Sequence, residues 1–230
     1  MIPLSFILLS AFAAEYGPSV EGEWTPSEPA AAEDSGVVGC TDQYLHDGVS
    51  LPDLPLFYIR TQPVHSWGTQ EMVDLLVETG RHMSWLMPNA STLVIGDIAS
   101  ERGGFLSGHK SHRGGVDADV GIYKTGGWQN NRGFTTLLPS ELDVVATWTL
   151  ISSMLDTGKV DMILLDRGHI ARLRAYTLKA GLLTDAEADR VFPHEGSRGS
   201  WADTGIIRHA ENHKDHLHVR VLCADGSKAR

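Results

Sequence analysis

The sequence has no surplus of positive charge. It carries 19 Lys and Arg against 29 Asp and Glu, a formal net charge of −10, and so lacks the basic face that nucleic-acid binding requires. Six of the acids (Glu15, Glu21, Glu23, Glu28, Glu33 and Asp34) lie in one short stretch without Lys or Arg. Without them the balance is about −4, and the stretch reads as a solvated tail. There is no His-Glu-x-x-His, which excludes the helix-borne two-histidine zinc pattern, and no Ser or Cys nucleophile motif. The apolar run at residues 1–14 is too short to span a bilayer. No internal repeat is present. Cysteine is limited to Cys40 and Cys223. In an exported protein an even pair points to a disulfide; in a cytosolic one, two separate buried thiols would be the better reading. If paired, the two close a loop of nearly the whole domain, worth on the order of 4–5 kcal/mol in loop-entropy models.

What is present divides the chain. Residues 1–14 (MIPLSFILLSAFAA) end in an A-x-A-like sequence and read as a secretory signal peptide, although no Lys or Arg precedes the apolar run. Residues 15–38, rich in Glu, Pro, Ala and Ser, read as a disordered linker. Residues 39–223 are the expected domain, and 224–230 a C-terminal tail. At 42% hydrophobic residues the chain can bury a proper core, and its length suits one domain. Met72, Leu75, Leu76, Met83 and Leu86 at helical spacing predict a helix over 69–86. A second helix is expected from Ser140, with Asp143 as a capping-box variant. A third spans 170–180 and is stopped by Gly181, and Thr184 with Glu187 forms a further capping box. Strands are expected near 56–59, at 92–97 and at 160–165. Loops are expected at 99–115, 128–138 and 193–201. The whole predicts an α+β single domain with a small, largely antiparallel sheet flanked by helices.

Two stretches carry the chemistry. The first, residues 107–120, reads SGHKSHRGGVDADV; the second, 212–220, reads NHKDHLHVR. From Val116 apolar and polar residues alternate, as they do again around Leu217, Val219 and Val221, the pattern of strands with one face in the core. Residues two apart on a strand point the same way, so His216 and His218 share a face. The glycine-rich run before Asp119 is a loop able to bring His112 back over the strand. Two imidazoles, a carboxylate and a spare imidazole are the parts of a catalytic zinc site, which has three protein ligands and a place for water.

The pattern Ser-His-x-x-Gly-x-Asp-x-Asp, followed far downstream by His-x-His-Val-Arg, resembles the penicillin-insensitive murein endopeptidases. These are zinc peptidases related to the D-Ala-D-Ala carboxypeptidases and dipeptidases and, by fold, to the hedgehog domain. Gly39-Cys40, Arg60-Thr61, residues 92–97 and residues 219–223 also look like that family's segments, so the resemblance covers about 39–223. It implies one catalytic zinc ion on His112, Asp119 and His218. His216 is then the general base, one strand pleat from a ligand, a task suited to imidazole as a side-chain type. His109 and His213 match two further family histidines, with a supporting or substrate-contacting role. Asp215 stands where the related dipeptidases have a Glu base; it can orient His216, act as base or be solvated. Arg60 is an oxyanion donor, a substrate-carboxylate ligand or an ordinary salt-bridging Arg. Arg113-Gly114 replace the Gln-Thr expected of the family, which bears on the substrate subsite rather than the metal. His46, His65, His82, His169, His194 and His209 have no motif and are read as surface or core.

The resemblance implies hydrolysis of D-Ala–meso-diaminopimelate cross-links in peptidoglycan stem peptides by an exported, periplasmic enzyme. The alternatives are a zinc D,D-carboxypeptidase or dipeptidase, and a non-catalytic zinc-stabilised peptidoglycan-binding module.

Overall fold

The computed structural model describes residues 40–41, 43–126, 134–193 and 205–229. The expected signal peptide and linker lie outside the described residues, as do most of the loop expected at 128–138 and of that at 193–201. Residues 38–230 form a unit separate from 1–37.

Helices start where the sequence offers an oxygen to an unpaired amide. Thr69 caps α1 (Gln70–Leu86), accepting from the Met72 amide. Asp143 caps α2 (Val144–Asp156), accepting from the Val145 and Ala146 amides. The helix expected from Ser140 therefore begins four residues later, because residues Pro139–Glu141 form a 3-10 turn and Asp143 is itself the cap. Asp166 caps α3 (Arg167–Lys179) through the Gly168 amide, so that helix starts before the expected Ile170. The Thr184–Glu187 capping box opens α4 (Asp185–Val191) as read from sequence.

The strands are β1 (Val49–Ser50), β2 (Tyr58–Arg60), β3 (Trp67–Gly68), β4 (Leu93–Ile95), β5 (Asp117–Gly121), β6 (Val160–Leu165), β7 (Ile207–His209) and β8 (His216–Val221). β1 and β3 make a small antiparallel pair, and the other six form one sheet in the order β2-β4-β5-β8-β6-β7. The three inner pairings are antiparallel and the two outer ones parallel. This is the expected α+β domain with a sheet antiparallel at its centre. β7 and the β1–β3 pair went unread in the sequence: three and two residues are too few to show an alternation. Among the described residues, no helix is long and apolar enough to cross a membrane.

Central β5 and β8 are paired in one register: Ala118 opposite Val219 and Val120 opposite Leu217 on one face, Asp117 opposite Arg220, Asp119 opposite His218 and Gly121 opposite His216 on the other. The apolar face is fully buried with Leu75, Leu76 and Ile151 in the core. The half-buried strand expected at β5 is instead buried on both faces, because loops and histidines close over its carboxylates. The loop from 99 to 116 returns to the sheet through Gly115, at φ 70°; a Cβ there would sit 2.9 Å from the Gly68 Cα, so only glycine lets the loop pass.

Cys40 and Cys223 are joined, and the bond ties the segment entering the domain to the end of β8. With the two cysteines 183 positions apart in sequence, loop entropy alone makes the bond worth about 5 kcal/mol. Replacing both cysteines by serine is expected to cost about 2–5 kcal/mol, measured by urea unfolding at fixed pH. An unchanged midpoint would show that the bond does not constrain the unfolded chain.

Candidate metal centre

On the polar face of β5 and β8, three buried side chains meet. His112 arrives from the glycine-rich loop, Asp119 from β5 and His218 from β8. His112 Nε2 is 3.1 Å from Asp119 Oδ1, His218 Nδ1 is 3.2 Å from the same oxygen, and the two nitrogens are 3.2 Å apart. Ligand bonds of about 2.0–2.1 Å in a tetrahedron place donor atoms about 3.3 Å from one another, close to this spacing.

Partners behind the rings decide what the inner nitrogens carry. His112 Nδ1 lies 2.9 Å from the Ile98 carbonyl, which only accepts, so Nδ1 holds the proton and Nε2 is bare in the neutral ring. His218 Nε2 is 2.7 Å from Asp117 Oδ1, so its proton also points outward and Nδ1 is bare. Two lone pairs and a carboxylate then face one another among buried side chains. That arrangement is repulsive unless a cation lies between them, and an outer acceptor on each ring is how proteins orient metal-binding histidines. Asp117 is in turn held by Arg220, Nε to Oδ1 at 2.8 Å and Nη2 to Oδ2 at 2.9 Å. Burial disfavours the Asp117 charge, but the bonds from His218 and Arg220 outweigh it and lower its pKa. Burial likewise opposes ionisation of Asp119, and His112 and His218 hold it well below the usual carboxylate range.

His109 extends the group. His109, His112 and Asp119 each offer a donor atom within 4.8 Å of the others, a set able to hold a metal ion. His109 Nε2 lies 3.1 Å from Asp97 Oδ2, and Nδ1 lies 3.8 Å from Asp119 Oδ2. Burial, then the neighbouring His112, lower the His109 pKa.

His216 stands beside the group. Its Nδ1 donates to Asp215 Oδ1 at 2.6 Å, and its Nε2 lies 3.7 Å from Asp119 Oδ1. Phe134 stacks on the ring, centroids 4.9 Å apart and planes 21° from parallel. Gly96 makes room for Phe134, since a Cβ there would come within 2.7 Å of the Phe134 ring. His213 lies 4.9 Å from His216, ring to ring. Its Nδ1 donates to the Glu211 carbonyl at 2.7 Å, and burial lowers its pKa.

The structure thus brings His109, His112, Asp119, His213, Asp215, His216 and His218 together. Arg60 is elsewhere: on β2, two strands from β5, it donates to the Leu51 carbonyl at 2.8 Å and pairs with Asp53 at 3.4 Å. Arg113 points away from the cluster toward Gln43 (3.3 Å) and the Phe105 ring. Sequence reasoning missed Asp117 as the acceptor behind His218, Arg220 behind Asp117, and the pair His65–Asp97. For Asp117 the signal was available: it shares a strand face with Asp119, two residues away.

With fold and geometry in place, the class is defined: an α+β domain with a buried His/Asp donor group on its central antiparallel strands. The chain matches the family model for penicillin-insensitive murein endopeptidase over residues 40–163, more than half its length, and it belongs to that family. The matched region holds His109, His112 and Asp119 and ends before β8. The penicillin-insensitive murein endopeptidase of Yersinia enterocolitica is 29% identical over 139 residues, covering 57% of this chain and 46% of that protein. Those of Yersinia pestis bv. Antiqua and Yersinia pseudotuberculosis are 29% identical over 143 residues, covering 59% of this chain and 47% of theirs. The chain therefore spans about half the length of the curated relatives it matches.

Without metal, a proton takes the cation's place. Burial opposes a charge on His218, but Asp117 and Asp119 outweigh it and raise its pKa from 6.5 to about 9. In the metal-free protein this proton stabilises the fold fully below pH 6.5, and the contribution is lost as pH rises through about 9. A metal ion must displace the same proton, so its apparent affinity should rise about tenfold per pH unit between 7 and 9 and then level off. Chelator competition across that range checks this; an affinity flat with pH would contradict the assigned His218 proton.

Proposed function

We propose that the chain is a zinc-dependent murein endopeptidase that hydrolyses D-Ala–meso-diaminopimelate cross-links of peptidoglycan. The observation that carries the reading is the convergence of His112 Nε2, His218 Nδ1 and Asp119 Oδ1 within 3.1–3.2 Å of one another, with a third imidazole, His216, beside them and held by its own carboxylate. His112, Asp119 and His218 would hold the ion. Nitrogen and carboxylate donors without a thiolate or a cage of oxygens suit zinc better than magnesium or calcium. Bound there, zinc supplies a Lewis acid that polarises a carbonyl and lowers the pKa of water toward ~7.

The remaining steps belong to the chain's own side chains. Asp215 accepts the Nδ1 proton of His216, which leaves Nε2 as the ring's basic atom and turns it toward the cluster. Nε2 takes a proton from the attacking water and returns it to the nitrogen of the leaving amine. Asp215 stabilises the imidazolium formed in between, the role a carboxylate plays behind a catalytic histidine. Phe134 covers one face of the ring and fixes its plane. The disulfide and the murein substrate together support an exported protein acting in the periplasm, since such bonds persist in oxidising compartments.

Incubated with purified dimeric muropeptides, the zinc-loaded protein is expected to yield monomers, to stop when a chelator is added and to ignore penicillin. The His216→Ala variant should keep its metal and lose about 100-fold or more of turnover. Mass spectrometry of the products decides between readings. Intact dimers with released terminal D-Ala would replace the endopeptidase by a carboxypeptidase, and binding without cleavage would replace it by a non-catalytic module. Near-normal turnover of His216→Ala would move the proton transfer to another group.

A further inference from the structure

One short segment, residues 96–99, orients three donors of the cluster. The Asp97 carbonyl accepts from the Asp119 amide at 3.0 Å, and the Gly96 amide donates to the Asp119 carbonyl at 2.8 Å. The Ile98 carbonyl holds His112 Nδ1. The Asp97 carboxylate holds His109 Nε2. The same segment is gripped by His65, which belongs to no motif. The His65 carbonyl accepts from the Ile98 and Ala99 amides at 2.8 and 3.1 Å, and His65 Nδ1 lies 2.8 Å from Asp97 Oδ1.

Each Asp97 oxygen thus meets one imidazole nitrogen. A carboxylate only accepts, so both rings donate to it: His65 through Nδ1 and His109 through Nε2. In the neutral His109 ring this leaves Nδ1 without a proton on the side facing Asp119. Had Asp97 been free to turn, His109 could have taken the other tautomer and aimed an N–H into the donor group. The second bond, from His65, removes that freedom.

We propose that His65 is a positioning residue of the metal centre: its bond to Asp97 fixes the carboxylate that holds His109 with its bare Nδ1 toward the metal donors. This rests on the cluster being a metal centre. A partner directly behind a metal-binding side chain is worth about 10–100-fold in metal affinity; His65 stands further out, behind Asp97 and His109, so its share lies at or below the low end of that range. The His65 backbone bonds to Ile98 and Ala99 survive any side-chain substitution, and the ring is about one-third exposed (31%), so its loss leaves the fold standing.

The test is zinc affinity of the full chain, by competition with a chromophoric chelator, for the natural protein, His65→Leu, His109→Ala and the double variant. His65→Leu should weaken zinc by up to about 10-fold. In the His109→Ala background it should add nothing, because its effect passes through His109. His65→Asn, whose amide nitrogen stands where Nδ1 does and can still donate to Asp97, should recover most of the loss. If the leucine variant melts early, His65→Ala, which has no group able to reach Asp97, makes the same cut. Natural affinity in His65→Leu, or an equal loss with and without His109, would overturn the proposal while leaving the metal centre intact. If the natural protein itself binds no zinc, the metal reading falls and this inference with it.

Discussion

The site depends on the register between β5 and β8. Asp119 lies directly opposite His218, Asp117 opposite Arg220 and Gly121 opposite His216. A slip of one residue would turn every one of these side chains to the other face and bring Ala118, Val120, Leu217 and Val219 out of the core. The apolar face therefore enforces the geometry of the polar one: four fully buried side chains pin the pairing, at roughly 1.5–3 kcal/mol for each large aliphatic group. The disulfide fastens the end of β8 just beyond this pairing.

A register alone would place like groups together at a cost. Two imidazoles and two carboxylates buried within a few ångströms are tolerable only if each has a defined proton and a partner. Arg220 neutralises Asp117, Asp117 takes the outer proton of His218, and the Ile98 carbonyl takes that of His112. The same logic repeats outward, from Asp97 to His109 and His65, and beside the cluster from Asp215 to His216. His112 and His218 thus each have one nitrogen committed to an outer acceptor and the other facing the common centre.

Much of this was legible in the sequence. The alternation around Val116 and Leu217 defined both central strands, and the i, i+2 spacing placed His216 and His218 on one face. The apolar spacing over 69–86 and the Thr184 capping box set their helices correctly. What was not legible depended on chain segments far apart in sequence. His65 ends a short 3-10 turn with no periodicity to read, and only long-range contacts, its carbonyl on the Ile98 and Ala99 amides and the bridge of Ser66 to Ala99, carry it to Asp97. Arg60, drawn in by its resemblance to the family, lies on a strand whose position in the sheet no local pattern reveals. The start of α2 was misplaced because Ser140 and Asp143 are both good caps and only packing chose between them.

In the proposed reading, His112, Asp119 and His218 hold a zinc ion through the atoms now facing one another. X-ray absorption at the zinc edge, on protein purified without a histidine tag, tests it most directly. The account predicts about one zinc per chain, bound by imidazole nitrogen and oxygen at about 2.0–2.1 Å with no sulfur, and loss of one imidazole from the shell in His218→Ala. A shell unchanged in that variant, or no stoichiometric metal in the natural protein, would contradict it.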